Sequence, residues 1–287
     1  SKYVSEACRK GLAEFAFSLA IPALLFHRLA TAEFPETAPF ALWTSFFGAA
    51  LLTGAIGYAI TIRGLKRSPP DGVSIAMAAM YSNAVMLGIP ICVSRYGDAA
   101  LAPLALIILL QPPLMWLAGL TAMGLADNEH KKGPLMLLQD LARELGRNPV
   151  VIATIAGAIW GLTGLGLFAP MEKLLKLLAQ AGIPAALVAL GLALTQFRIS
   201  GQTPTLAVIC TLKLIAMPTL AWVMAGPIFG LSPVSTGVVV LVAAMPTGAN
   251  AFLFADRFGR AVDSTSGAVA LSTTLSCLTV TILLFLL

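Results

Sequence analysis

Asn83 and Asn250 each stand within a few residues of a proline inside an uncharged apolar run, and Lys213 stands alone deep inside another. A side-chain amide offers donors and an acceptor without a fixed charge. The first asparagine belongs to AAMYSNAVMLGIPICVSRYG, from Ala78 to Gly97, and the second to AAMPTGANAFLFADRFG, from Ala243 to Gly259. Gly88-Ile89-Pro90 and Pro246-Thr247-Gly248 interrupt these segments. Proline has no amide hydrogen and collides with the preceding turn, so each helix is expected to kink or break there. Irregular backbone in hydrocarbon is tolerated only where it is buried in protein or lines a cavity. The N-termini of half-helices at such a cavity attract anions. The expected binding set is therefore Ser82, Asn83, Gly88, Pro90, Pro246, Thr247, Gly248 and Asn250. Asn83 precedes its expected break and Asn250 follows its own, so strict two-fold symmetry of the site is not expected.

Lys213 lies about ten residues from either end of its apolar span. An ionisable group at that depth costs roughly 3 kcal/mol to insert, so it is expected to face the protein interior, near an anion or a coupling carboxylate. Glu14, one turn into its helix, fits a carrier of a coupling proton, and fits a solvated helix end equally well. Pro22 and Pro184 begin matching Ile-Pro-Ala kinks, while Gln111-Pro112-Pro113 reads as a local kink. His27 and His130 are isolated, and the four cysteines show no C-x-x-C pair, so no metal site is legible. No catalytic set is legible either: the paired aspartates, G-x-S-G serine and H-E-x-x-H of intramembrane enzymes are missing from the sequence.

The elements that must position these residues are membrane helices. The chain is 58% hydrophobic and 11% charged, where soluble domains are about 25% charged. A spanning helix needs about 20 apolar residues. Gly72–Ser94, Ala99–Ala126, Asn148–Met171 and Ser264–Leu287 each exceed that without one charge. The net charge of +5 sits in short connectors rather than along a basic stripe, which excludes a nucleic-acid partner and leaves membrane lipid. Lys2, Arg9 and Lys10 before an apolar run, with Ala30-Thr31-Ala32 after it, resemble a secretion signal. The internal repeat makes that segment an integral helix instead.

The repeat appears at an offset of 162 residues: Ile21-Pro22-Ala23 falls on Ile183-Pro184-Ala185, and Arg95-Tyr96-Gly97 on Arg257-Phe258-Gly259. Ala78-Ala79-Met80 matches Ala243-Ala244-Met245 at 165. The expected first repeat, residues 1–125, has spans near 11–29, 38–62, 72–94 and 99–125. The second, 148–287, has spans near 148–169, 177–197, 203–228, 235–255 and 263–287. The mate of 148–169 would fall largely before Ser1, so one helix of a ten-helix plan is expected to be missing, leaving nine. Five helices per repeat place the two repeats in opposite orientations, the inverted plan of many secondary transporters. Thirteen of the 18 Lys and Arg residues lie in one alternating set of connectors, which is therefore cytoplasmic. The longest connector, 126–147, carries Leu135, Leu138, Leu141 and Leu145 at helical spacing beside Asp140, Arg143 and Glu144. An interfacial amphipathic linker is expected there.

These segments resemble the auxin efflux carrier family, in particular its bacterial branch, which includes malonate carriers. The resemblance runs through FAFSLAIPALLF, SNAVMLGIPI, NPVVIATIAGAIWG, AGIPAALVALGLAL, LKLIAMPTLAW and AAMPTGANAFLFADRFG, in family order. It implies an all-α polytopic protein of two inverted five-helix repeats, with two broken helices crossing near Pro90 and Pro246. It also implies a scaffold of 11–29 and 148–197, able to form a homodimer, and a transport domain of 38–125 and 203–287 that moves like an elevator. Asn83 falls on the family's first-break asparagine, and Pro246 to Asn250 on its P-x-x-A-N. The expected function is secondary transport of a small organic anion, such as malonate or a weak acid, across a bacterial inner membrane. Uptake of an anion into a negative interior is opposed by about 2.3 kcal/mol per charge at 100 mV, so uptake needs a co-moving proton or sodium ion. Few carboxylates are available for a sodium cage, which favours the proton. A sodium-coupled symporter of a bile-acid-like anion and a sensor that keeps the transporter fold are the rival readings. Sodium dependence and saturable counter-gradient uptake separate them.

Overall fold

The computed structural model describes residues 6–31, 39–126, 146–194 and 202–287, with positions 139, 142 and 143. All of its named elements are helical. The expected linker leucines and their acidic neighbours lie outside the described residues. Helix α1 joins Glu6–Phe15, a π turn Ala16–Ala20 and Ile21–Ala30. Helix α2 is Phe40–Gly64, α3 is Pro69–Met80, and α4 joins Ala84–Gly88 to Ile89–Tyr96. Then come α5, Leu101–Ala126; α6, Pro149–Leu162; and α7, Ala169–Leu194. Last are α8, Thr203–Ile228; α9, Pro233–Ala244; α10, Ala249–Phe258; and α11, Val262–Leu286. Among the described residues, five helical stretches are long and apolar enough to cross a bilayer. The protein is thus an integral, multi-pass membrane protein.

Two boundaries differ from expectation. The run 148–169 ends as helix at Leu162, because Gly164 turns at φ +67° in a region where only glycine is unstrained. Helix α7 then starts eight residues before the expected 177. Its first turns absorb Glu172 and Lys176, whose i,i+4 ion pair at 2.6 Å suits an exposed helix surface.

Prolines shape the helices through a repeated device. The π turns Ala16–Ala20, Ala84–Gly88 and Leu212–Ala216 each end two residues before a proline: Pro22, Pro90 and Pro218. The extra residue in the turn moves away the carbonyl that the proline ring would strike and could not bond.

Helix α1 packs on α6 and α7, whereas α2 packs on α3 and α8, and α9 on α5 and α8. The α1–α6 seam is tight because Gly157 has no side chain. A Cβ there would lie 2.6 Å from the Phe26 carbonyl oxygen and 2.8 Å from its Cα. Backbone cannot swing aside as a side chain does, so Gly157→Leu must part the helices. Overpacking costs about 1–3 kcal/mol. The variant's thermal midpoint in detergent is expected several degrees below wild type; an unchanged midpoint would show that the seam yields freely.

Candidate functional site

Two short helices carry the chain to the centre from opposite breaks. Helix α3 opens on Ser68-Pro69 and α9 on Ser232-Pro233, the serine Oγ accepting from Asp71 N and Ser235 N respectively. Each thus has a side-chain N-cap and a proline where the missing amide costs nothing. Both are almost wholly buried, and both unwind into extended backbone, at Tyr81 (φ −86°, ψ 113°) and Met245 (φ −60°, ψ 146°).

The two unwound strands meet as a single antiparallel bridge between Ser82 and Thr247. Asn83 N donates to Pro246 O at 2.9 Å, and Gly248 N donates to Tyr81 O at 2.9 Å. Four backbone groups freed by the breaks are satisfied by these bonds, as an apolar surrounding demands. Ser82 and Thr247 are separated by 165 residues, the offset of the AAM match. Side chains finish the job. Thr247 N donates to Ser272 Oγ at 3.0 Å, and Thr247 Oγ1 to Ala78 O at 2.8 Å. Gln111 Nε2 donates to Ser82 O at 2.6 Å. Gly248 leaves little room for a side chain, since a Cβ would sit 3.1 Å from Ser82 O and from the Tyr81 ring, and both would have to give by a few tenths of an ångström.

Lys213 is fully buried beside this bridge. Its Nζ donates to Ser82 Oγ at 2.9 Å, to Ala243 O at 2.5 Å and lies 3.1 Å from Met217 Sδ. An ammonium has three hydrogens, and all three are engaged by the protein. Ala243 O belongs to the last turn of α9, where helix carbonyls carry partial negative charge. The lysine therefore ties one broken helix to the other. It faces the interior, as expected, but its partners are a hydroxyl, a carbonyl and a thioether rather than an anion or a carboxylate.

The first break falls at Tyr81–Asn83 and not at Gly88-Ile89-Pro90. Gly88 and Pro90 are buried within α4, which runs on through them because the π turn accommodates the proline. Asn83 is consequently the N-cap of the half-helix, its Oδ1 accepting from Met86 N at 3.3 Å. Asn250 is the second residue of α10, and its Nδ2 donates to Tyr81 Oη at 2.7 Å. Both asparagines follow their breaks, which corrects the expectation that Asn83 precedes its own. Helix α10 starts after Gly248 with no side-chain cap.

Beside the bridge lies a cavity of about 540 Å³. Ser82, Asn83, Gly248, Asn250, Tyr81 and Gln111 line one wall. Phe17 and Ser18 of α1, Arg147 and the start of α6 line the cavity as well. Gly88, Pro90, Pro246, Thr247 and Lys213 lie behind the wall rather than on it. Glu14 is exposed, one turn along α1 from Ser18, and does not line the cavity. The sequence reading passed over Gln111, Tyr81 and Arg147. Gln111 was findable: it is the lone amide in an uncharged 26-residue helix, the signal that picked out Asn83. Instead of a mere kink, its segment supplies a hydrogen bond to the bridge. Its Oε1 is buried without a hydrogen-bond partner among the described residues.

Apolar spans around two broken helices, joined at a buried bridge beside a polar cavity, define a membrane transporter. The family model described as Membrane transport protein matches residues 1–284. The chain belongs to that family, the auxin efflux carriers whose motifs it carries, and is a transporter rather than an enzyme. It is similar to a protein of Rhizobium meliloti (strain 1021) named "Putative malonate transporter". The two are 25% identical over 272 residues, covering 95% of this chain and 85% of that protein.

Proposed function

We propose that this protein is a secondary carrier of small carboxylates, malonate among them, and that the substrate sits at the bridge between the broken helices. The observation that carries the reading is the cavity wall, where Asn83, Asn250 and the uncapped start of α10 meet. Two helix N-termini and two amides provide hydrogen-bond donors for an anion, while Lys213 behind them is already bonded to protein groups. The relative named for malonate transport supports the substrate class.

In the same reading the protein is built from two inverted repeats of five helices when complete, and Ser82 and Thr247 are the pair on the pseudo-two-fold axis. The packing supports a division into α1, α6 and α7 as scaffold, and α2 to α5 with α8 to α11 as moving body. The cavity lies between these groups, where an elevator motion needs its substrate. It reaches from the bridge to Arg147, which the charge distribution puts on the cytoplasmic side, so this conformation faces inward. The membrane is the bacterial inner membrane, proton coupling is favoured over sodium, and a homodimer would form through the scaffold.

The test is charge movement in proteoliposomes, with malonate, succinate, lactate or indole-3-acetate applied with and without sodium and across pH. A saturable signal for one acid is expected. Hydrogen bonds to charged groups contribute about 1.5–3 kcal/mol, so Asn83→Ala with Asn250→Ala is expected to weaken it at least about tenfold. Asn83→Ser keeps a capping oxygen and separates lost capping from lost substrate contact. Full activity in the folded double variant would move the site away from the bridge.

A further inference from the structure

Among the described residues that line the cavity, Arg147 is the one that is charged, and it stands at the start of α6 rather than on the broken helices. Arg147 immediately precedes Asn148, whose Oδ1 accepts from Val150 N and Val151 N at 3.0 and 3.3 Å and so caps α6. That cap fixes where the chain enters α6, and the tight packing of α6 on α1 fixes α6 itself. The guanidinium is exposed, and among the described residues no carboxylate is paired with it. Lys213, the other cation near the bridge, spends its three hydrogens on protein groups and lies behind the cavity wall.

We propose that Arg147 is a loading residue for the carried anion at the cytoplasmic face, and that it acts on that face alone. The inference rests on the carboxylate-carrier reading above and deepens it. A planar guanidinium pairs with a carboxylate through two parallel hydrogen bonds. The bridge offers amides and helix ends for one carboxylate, and the second carboxylate of a diacid is left for Arg147. The residue travels with α6 and α1, not with the broken helices. A substrate held at the bridge therefore meets Arg147 only while the cavity faces inward, and leaves it when the bridge moves. Such a contact lowers the half-saturation concentration on one side of the membrane and not on the other. It also discriminates diacid from monoacid only on that side.

The test uses inside-out and right-side-out vesicles with malonate as diacid and lactate as monoacid. In Arg147→Gln the cytoplasmic KM for malonate is expected to rise about threefold to fivefold, the upper worth of a two-pronged ion pair at an exposed site. The external KM stays at the wild-type value, lactate shifts less than malonate on the cytoplasmic side, and Arg147→Lys recovers part of the loss. A change in packing or folding would move both faces together, so equal shifts on the two sides overturn the proposal, as does no shift on either. If wild-type vesicles respond to neither acid, the carboxylate-carrier reading fails, and the proposal falls with it. A sided wild-type response that Arg147→Gln leaves untouched removes Arg147 alone.

Discussion

Lys213→Met is expected to reduce transport by more than about tenfold while leaving thermal stability within a few degrees of wild type. Two opposing costs make this so. Burying an ammonium at membrane depth costs roughly 3 kcal/mol, and the methionine recovers that. Losing the ammonium strands Ser82 Oγ and Ala243 O, both buried beside the bridge, at about 1–3 kcal/mol for each orphaned group. The two sides nearly cancel, so the global fold hardly notices. The bridge does notice, because Lys213 is the group that joins the end of α9 to the unwound segment after α3. Without it the backbone amides of Asn83 and Gly248 are held only by the two bridge bonds and their neighbours. Hydrogen exchange at these amides is expected to quicken, with exchange in α2 and α5 unchanged. Lys213→Arg is expected to fail as well, since the larger guanidinium has no room in a fully buried site. A folded Lys213→Met protein that transports at the wild-type rate would show that the bridge holds without the cation.

The contrast between what was and was not legible follows from what a linear pattern can encode. Hydrophobic length and charge-free runs mark membrane helices with little ambiguity, because the bilayer imposes one length and one solvent. The 165-residue offset of the AAM segments is also the separation of Ser82 and Thr247, although the repeat by itself does not single out that pair. The place of the first break does not follow from the position of its proline. A π turn lets the helix run through Pro90, and the unwinding falls instead at Tyr81–Asn83, where Asn83 is of the type that caps a helix start but nothing marks the end of the helix before it. The half-helix after that break spans 84–96, the one after the second only 249–258. Between the AAM segments, which match at 165, and the segments at Arg95 and Arg257, which match at 162, the three residues by which the offsets differ are thus residues of α4, the half-helix that carries a π turn. Gln111 and Tyr81 were missed for another reason. Their roles depend on helices that neighbour the break in space, and spacing along the chain does not carry that. The depth of Lys213 in its span did signal burial correctly, but sequence could not say that the protein itself consumes all its hydrogen bonds.

A reversible tether between residues 28 and 98 is expected to stop transport completely, where removing either charge changes it by no more than about fivefold. Arg28 stands near the end of α1, ten residues beyond Ser18 and so about 15 Å along the helix from the cavity wall. Its Nη2 pairs with Asp98 Oδ1 at 2.5 Å, across to the turn Gly97–Ala100 that leads into α5. Beneath the pair is a second cavity of about 300 Å³ that also touches Lys176 of α7. The pair therefore joins α1 to the elements that bear the bridge, at the end of the molecule away from the main cavity. In the elevator reading it must part each time the bridge moves. Both groups are substantially exposed, at 36% and 65%, and an exposed pair contributes about 0–1 kcal/mol. Asp98→Asn or Arg28→Gln can thus shift the balance of states only a few-fold. A covalent link is different in kind, because it removes the motion and not merely a preference. Arg28→Cys with Asp98→Cys, in a background with the exposed Cys8 and Cys277 changed to serine, can be bridged by a bifunctional methanethiosulfonate and released by a reductant. Transport is expected to vanish on bridging and return on reduction, while each single cysteine treated alike stays active. Bridged protein that still transports would mean that α1 and the Gly97–Ala100 turn travel together, and the boundary between scaffold and moving body would have to be redrawn with α1 on the moving side.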